Sequence, residues 1–141
     1  MLDIVSLLFY SLGETSLAHH PCGTEDSLHG SVDELIRQVL LYVGEQAREL
    51  KSLLTLDRNK TDPTSATIKD LRPDFMCWLK SALFLKGEEK SSVNEFESAK
   101  NELSSKFGRI TEYWYGTVEF MIAYACGDTK IQFFAIDRQV N

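Results

Sequence analysis

Two short apolar runs with a polar break between them stand out in the middle of the chain. The runs cover residues 75–79 and 82–85, and residues 80–81 form the break. Aromatic and aliphatic side chains in runs of this length are typical of strands, and two such runs around a short break predict a β-hairpin. Charged side chains flank the open end of this hairpin, where Asp74 precedes the first run and Glu-Glu-Lys at 88–90 follows the second.

The length of the hairpin loop decides whether two of these carboxylates lie close together. Side chains alternate between the faces of a strand, so a three-residue loop over 80–82 places Asp74 opposite Glu88. A two-residue loop places them on opposite faces of the sheet, unless a β-bulge restores the register. The sequence leaves the loop length open, and the function of these carboxylates depends on it.

A pair of close carboxylates needs a compensating charge, because the two groups repel each other. Mg²⁺ prefers carboxylate oxygens and is commonly bound through one or two of them. Lys90 lies two residues beyond Glu88 and points to the same face, where it could orient or help deprotonate a water and balance the charge of a phosphate. The alternative is an ordinary solvated strand end, whose surface charges contribute little.

The clearest helical pattern begins at Ser31. Ser31 and Glu34 match a capping box, in which each side chain accepts a backbone N–H of the first turn. Apolar residues then recur at three- and four-residue steps and predict one buried face. These residues are Ile36, Leu40, Val43, Ala47, Leu50 and Leu54. We expect residues 14–30, which are rich in polar and turn-forming types, to be an irregular connection.

The remaining elements follow from shorter patterns. The first strand has two candidate positions, 53–56 and 66–69. A second helix is predicted from Ser92 to Gly108, because Glu95 completes another capping pattern. Residues 117–126 are apolar on all sides and suit a helix or a buried strand, and we favour the helix. A final strand is predicted at 130–136, so we expect an α/β (α+β) fold with a small mixed sheet and a β-hairpin flanked by helices.

Length and composition place the chain among ordinary globular proteins. The 141 residues suffice for one domain, and we expect a poorly defined N-terminal segment at 1–30 and a folded core at 31–138. The net charge of −6 argues against a protein that coats DNA non-specifically, although it does not exclude a nuclease. Six basic residues of the second half could still present a local basic face. They are Lys80, Lys86, Lys90, Lys100, Lys106 and Arg109.

Cysteines and apolar runs indicate the compartment. Three cysteines are an odd count without metal-type pairing, which favours a reducing intracellular compartment, the cytoplasm or nucleus. No apolar run reaches the roughly 18–20 residues that span a bilayer, so we expect no membrane partner.

A metal site at His19, His20 and Cys22 is disfavoured, because adjacent histidines on an extended segment point apart.

The order Pro73-Asp74, hairpin, Glu88-Glu89-Lys90 resembles the PD-(D/E)XK signature of the restriction-endonuclease-like nuclease superfamily. The resemblance implies a restriction-endonuclease-like core. It also implies that Asp74 and Glu88 bind Mg²⁺ or Mn²⁺ with help from the backbone carbonyl of Glu89, and that Lys90 is the catalytic lysine. Some members add an acid from the preceding helix. Candidates for that acid are Glu34, Glu45 and Glu49, each of which is otherwise an ordinary solvated helix charge.

Three segments, at 72–75, 87–90 and 123–127, are also similar to the nuclease-like module of Crinkler-type proteins. In those proteins, such a module often precedes a protein-kinase-like domain. The likeness covers residues 70–138, about half of the chain. It implies a Mg²⁺-dependent nuclease that acts on DNA in preference to RNA. The alternative is a non-catalytic interaction module of a Crinkler-like or kinase-associated effector, which would bind a protein partner or a kinase-like domain and could be translocated into a host.

Overall fold

The computed structural model describes residues 25–46, 53–64 and 66–137. In this part of the chain, five strands form one sheet and lie side by side in sequence order. The strands are β1 (Leu54–Asp57), β2 (Phe75–Leu79), β3 (Ala82–Lys90), β4 (Phe120–Gly127) and β5 (Lys130–Asp137). All neighbouring strands are antiparallel except β3 and β4, which are parallel. The mixed sheet, the hairpin and the final strand agree with the predictions from the sequence.

One face of the sheet is covered by a helical segment at the start of the described chain. It comprises α1 (Glu25–Val32), a π-helical turn (Asp33–Arg37) and α2 (Gln38–Gln46). Its apolar side chains form the core of this face with side chains of β2, β3 and β4. The buried members are Leu28, Val32, Leu35, Ile36, Phe75, Cys77, Leu85, Tyr124 and Cys126.

The predicted helix start at Ser31 is wrong, because α1 already begins at Glu25. Residues 25–30 are therefore helical, although the whole of 14–30 was expected to be irregular. Leu28 and Val32 are one turn apart and fully buried, so they extend the apolar face backwards. Burying one leucine contributes about 1.5–3 kcal/mol, which exceeds the roughly 0.5–1 kcal/mol that a glycine in a helix costs.

Some residues of the predicted helix are not described by the structure, and one belongs to a strand. Ala47 and Leu50 of the predicted apolar face lie outside the described residues, as do His19, His20 and Cys22. Leu54 does not belong to the helix and begins β1 instead.

The opposite face of the sheet carries α3 (Phe96–Ser105), which follows a short 3₁₀ turn (Val93–Glu95). Ser92 caps this segment as predicted, since its hydroxyl accepts a hydrogen bond from the Asn94 amide at 3.2 Å. Phe96, Ala99 and Leu103 pack on β4, and a short helix, α4 (Glu112–Tyr115), follows. Within the described ranges, no helix combines the length and apolar character needed to cross a bilayer.

The hairpin has the shorter of the two loops that the sequence leaves open. Leu79 pairs with Ala82, so the loop contains two residues rather than three, and Lys80 adopts a left-handed φ of 56°. By itself, this loop would send the carboxylates of Asp74 and Glu88 to opposite faces.

A β-bulge in β3 reverses the effect of the short loop. Phe84 is an extra residue without a partner in β2, and beyond it Phe75 pairs with Gly87. Continuing this register by one residue places Asp74 opposite Glu88. The two carboxylates therefore share a face because of the bulge, as the alternative with a two-residue loop requires.

The predicted helix at 117–126 is wrong, since this segment forms β4. A strand with helices on both sides is apolar on both faces, which removes the usual alternation. Ala123 and Ala125 pack against α3, whereas Tyr124 packs beneath α1. Of the two candidate positions for the first strand, the one at 53–56 agrees with β1, while Thr67 makes only a single bridge with Phe107.

Gly87 provides a test of this packing. A Cβ at Gly87 would overlap the ring of Tyr124, which is fully buried and cannot easily move. We expect Gly87→Ala to lower the free energy of unfolding by about 1–3 kcal/mol, as overpacking does. Urea unfolding measures this change.

Gly30→Ala is the matched control, because a Cβ at Gly30 meets nothing within 4 Å and the residue lies in α1. This variant should be about 0.5–1 kcal/mol more stable than the wild type. Equal stability of Gly87→Ala and wild type would contradict the close contact between β3 and β4.

Candidate active site

Asp74 is anchored across the hairpin by the backbone of β3. Its amide donates to the carbonyl of Gly87 at 3.1 Å, and its Oδ2 accepts a hydrogen bond from the amide of Glu89 at 2.7 Å. The side chain is largely buried, with 8% of the residue exposed. The bulged register therefore fixes the position of this carboxylate.

Glu88 lies beside Asp74 on the face of the sheet that carries α3. It is fully buried, and its Oε2 lies 2.6 Å from Nζ of Lys106. Its Oε1 has no hydrogen-bond partner among the described residues. Burial raises the pKa of Glu88 to about 8 against the opposing effect of Lys106, and the charge of Asp74 adds to the increase. The two carboxylates are thus close enough to interact.

Lys106 directly follows α3 and supplies the positive charge next to Glu88. Its Nζ also contacts Oε2 of Glu102 at 3.1 Å and the carbonyl of Arg72 at 3.3 Å. Burial lowers the pKa of Lys106, but the hydrogen bond to Glu88 and the surrounding carboxylates hold it above its usual value. From the sequence, this lysine is only one of the residues of a local basic face, because no motif links it to a glutamate 18 residues earlier.

Lys90 points to the same face as Glu88, as strand alternation requires. Its Nζ lies 2.9 Å from Oε1 of Glu102, so one glutamate of α3 contacts both Lys90 and Lys106. Although burial acts in the opposite direction, these two lysines hold the pKa of Glu102 below its usual value. We call Asp74, Glu88, Lys90, Glu102 and Lys106 the carboxylate–lysine cluster.

Lys86 is a further charged residue of this face, and no motif of the sequence marks it as a site residue. It is fully buried, and its Nζ donates to the carbonyl of Leu103 at 3.0 Å. Burial lowers its pKa to about 8. The inward side chains of β3 at 86, 88 and 90 are therefore all ionisable, which is unusual for a buried strand.

The side chain of Glu89 lies on the opposite face of the sheet, beneath α1. It is fully buried, and its Oε1 accepts hydrogen bonds from Tyr124 Oη at 2.6 Å and Arg58 Nη1 at 3.0 Å. Nε2 of His29 lies 3.4 Å from the other oxygen, Oε2. The carboxylate of Glu89 thus points away from the carboxylate–lysine cluster. The part of Glu89 that lies beside Asp74 is its backbone.

Arg58 connects Glu89 to the surrounding elements. It donates to Oδ1 of Asp33 from Nε at 2.9 Å and from Nη2 at 2.7 Å, and it also donates to the carbonyls of His29 and Asp74. We call Arg58, Glu89, Tyr124, Asp33 and His29 the Arg58 network. Sequence reasoning missed it, because its members are separated along the chain and match no motif.

The structure describes two of the three candidate helix acids. Glu34 and Glu45 are exposed, and Glu49 lies outside the described residues. The acidic side chain of the π-helical turn that points to the sheet is Asp33, which contacts Arg58.

Two carboxylates and a carbonyl make a modest set of ligands for a cation. No three His, Cys, Asp or Glu side chains of the described ranges come together as a metal-binding group. Mg²⁺ is, however, commonly bound through one or two carboxylates and keeps several waters. Asp74, Glu88 and the carbonyl of Glu89 fit that requirement, and the unpaired Oε1 of Glu88 offers a buried oxygen ligand.

The Arg58 network gives a first prediction. Arg58→Met should lower the free energy of unfolding by about 3–5 kcal/mol, because it leaves the carboxylate of Glu89 buried without its cation. Arg37→Met is the control, since the Arg37 side chain is 50% exposed and lies 3.9 Å from the same Asp33. Chemical unfolding of both variants measures the difference, and equal stability would contradict a structural role for Arg58.

The raised pKa of Glu88 gives a second prediction. A carboxyl whose pKa is higher in the folded state stabilises the fold below its unfolded pKa near 4.5, and this contribution is lost as the pH rises through about 8. Glu88→Gln cannot titrate, so the stability of the wild type relative to this variant should fall between pH 5 and pH 8. We expect a fall of at least about 1.4 kcal/mol, the equivalent of one pKa unit.

Urea unfolding at several pH values measures this effect. Glu97→Gln, whose side chain is 70% exposed in the wild type, serves as the control and should show no such trend. A stability difference between wild type and Glu88→Gln that is constant with pH would contradict the raised pKa.

Comparison of the chain with protein-family models, with curated proteins and with solved structures gives no match. The assignment to the PD-(D/E)XK superfamily therefore stays a prediction from the sequence.

Proposed function

We propose that this chain is a Mg²⁺-dependent nuclease with a restriction-endonuclease-like core. The proposal is carried by one observation, the bulged register of β2 and β3. It places Asp74 opposite Glu88 and beside the amide of Glu89, with Lys90 two residues further on the same face. This arrangement has the order and the shared face that a PD-(D/E)XK site requires.

Four residues of the carboxylate–lysine cluster have a role in this proposal, together with the backbone of Glu89. Asp74, Glu88 and the carbonyl of Glu89 would hold Mg²⁺ or Mn²⁺, and the ion would lower the pKa of a water and offset charge on the phosphate. Lys90 would orient the attacking water and balance phosphate charge. Glu102 is the positioning residue for Lys90, because it holds the lysine ammonium at 2.9 Å.

The substrate follows from the same chemistry. A site of this type acts on phosphodiesters, and the resemblance favours DNA over RNA. With a net charge of −6, the chain needs a local basic surface to approach a polyanion. Lys90 and Lys106 provide positive charge on the face that carries Glu88.

A non-catalytic interaction module of a Crinkler-like or kinase-associated effector is the second candidate. It is favoured by the contact between Lys106 and Glu88, which neutralises the buried carboxylate without any metal. In that case the carboxylate–lysine cluster would only hold α3 on the sheet. A protein partner or a kinase-like domain would then be the ligand instead of nucleic acid.

Nuclease activity separates the two candidates. We expect the wild type to nick supercoiled plasmid in Mg²⁺ or Mn²⁺. Asp74→Asn and Lys90→Met should each lower the rate at least about 100-fold, because they remove a metal ligand and the group that assists proton transfer. Gel electrophoresis of the plasmid over time gives the rates, and single-stranded DNA and RNA serve as alternative substrates.

Lys100→Met is the control, because Lys100 lies on α3 but its side chain is 47% exposed and outside the carboxylate–lysine cluster. Its rate should stay within about twofold of the wild type, as for most surface substitutions. A wild type that is no more active than Asp74→Asn, on every substrate and with either metal, would sink the nuclease proposal and leave the interaction module.

A further inference from the structure

Lys106 uses its full hydrogen-bonding capacity on oxygen atoms. An ammonium has three N–H donors, and Lys106 Nζ has three oxygen neighbours. They are Oε2 of Glu88 at 2.6 Å, Oε2 of Glu102 at 3.1 Å and the carbonyl of Arg72 at 3.3 Å. Carboxylate and carbonyl oxygens are also the ligands that a hard divalent cation prefers.

The second oxygen of Glu88 is an independent indication of a cation site. Oε1 is buried and has no hydrogen-bond partner among the described residues, and Glu88 as a whole is fully buried. Leaving such an acceptor unsatisfied is costly, so a buried unpaired carboxylate oxygen calls for an explanation. An additional positive ligand beside Glu88 would satisfy it.

We propose that the Lys106 ammonium is an internal cation that competes with a divalent ion for Glu88, so that the ion binds only when Lys106 is displaced. This inference rests on the proposed function, because that function makes Asp74 and Glu88 metal ligands. It adds a residue that controls metal loading. Lys106 acts through Glu88 and is a regulatory residue of the site.

The surroundings of Lys106 allow this displacement. Its side chain is 17% exposed and therefore has access to solvent, whereas Glu88 has none. Glu102 lies four residues earlier on α3 and is 30% exposed, so Lys106 can keep this contact while it leaves Glu88. Glu102 would then hold Lys90 and the displaced Lys106 together on the outer side of the site.

Direct measurement of Mn²⁺ binding tests the proposal. Lys106→Met removes the competing charge, and Lys106→Gln also removes it but keeps a hydrogen-bond donor for Glu88. We expect both variants to bind Mn²⁺ at least about tenfold more tightly than the wild type, since a like charge near the ion has been removed. The electron paramagnetic resonance signal of free Mn²⁺ gives the affinities, and circular dichroism shows which variants are folded.

Two controls make the result specific. Lys100→Met removes an exposed lysine of the same helix and should leave the affinity unchanged. Glu88→Gln in the Lys106→Gln background should abolish the gain. The proposal is overturned if the folded Lys106 variants bind Mn²⁺ no more tightly than the wild type, or if the gain persists without the Glu88 carboxylate.

A measurement on the wild type covers the case in which neither Lys106 variant folds. Nitrogen-15 NMR of the lysine ammonium groups follows Lys106 directly during a titration with Mg²⁺. We expect its signal to shift as the contact with Glu88 is lost, and a signal that stays unchanged throughout overturns the proposal.

The outcome is distinguishable from that of the nuclease assay. Tighter Mn²⁺ binding in the Lys106 variants without plasmid nicking would support the competition and reject the nuclease. Nicking by the wild type together with unchanged Mn²⁺ binding in the variants would support the nuclease and reject the competition.

Discussion

Two consecutive glutamates buried on opposite faces of one strand impose the main constraint on this fold. Glu88 and Glu89 are both fully buried in β3, and a buried carboxylate is tolerated only with a compensating cation or a proton. Lys106 meets this requirement on the face of α3, and Arg58 meets it on the face of α1. Because each cation comes from a different element, the two charges tie both layers of the structure to the central strand.

The same constraint explains why the hairpin contains a bulge. Without Phe84 as an extra residue, the two-residue loop would exchange the faces of all the side chains in the second half of β3. Glu88 would then point at the apolar core beneath α1, and Gly87 could no longer accommodate the ring of Tyr124. The positions of the two carboxylates, of Gly87 and of Tyr124 therefore all depend on one inserted residue. The bulge keeps each of these side chains on the face of the sheet where it fits.

The sequence was sufficient to predict those helices and strands whose characteristic pattern lies within their own residues. The apolar runs of β2 and β3, the cap at Ser92 and the alternation of β5 all belong to this class. The prediction failed for β4, because a strand covered on both faces loses its alternation and resembles a buried helix. It also failed at Ser31, where a valid capping pattern was overridden by the burial of Leu28 one turn earlier.

The candidate site was predictable only in part, for a related reason. The carboxylates could be singled out because they flank the hairpin, and a register argument connects them once the loop length and the bulge are known. Their cations could not be predicted, because Arg58 precedes Glu89 by 31 residues and Lys106 follows Glu88 by 18. The fold alone brings such pairs together, and no short motif records them.

The distribution of these cations also bears on the two candidate functions. Glu89 accepts hydrogen bonds from both Arg58 and Tyr124, and Arg58 is itself held by Asp33 and by two backbone carbonyls. Among the described residues, Glu88 accepts a hydrogen bond from Lys106, which also contacts Glu102 and one backbone carbonyl. The cation beside Glu88 is therefore held by fewer groups than the cation beside Glu89, and a cation that is to be exchanged needs the weaker attachment. The asymmetry therefore favours an exchangeable cation position at Glu88 and a structural role for the side chain of Glu89.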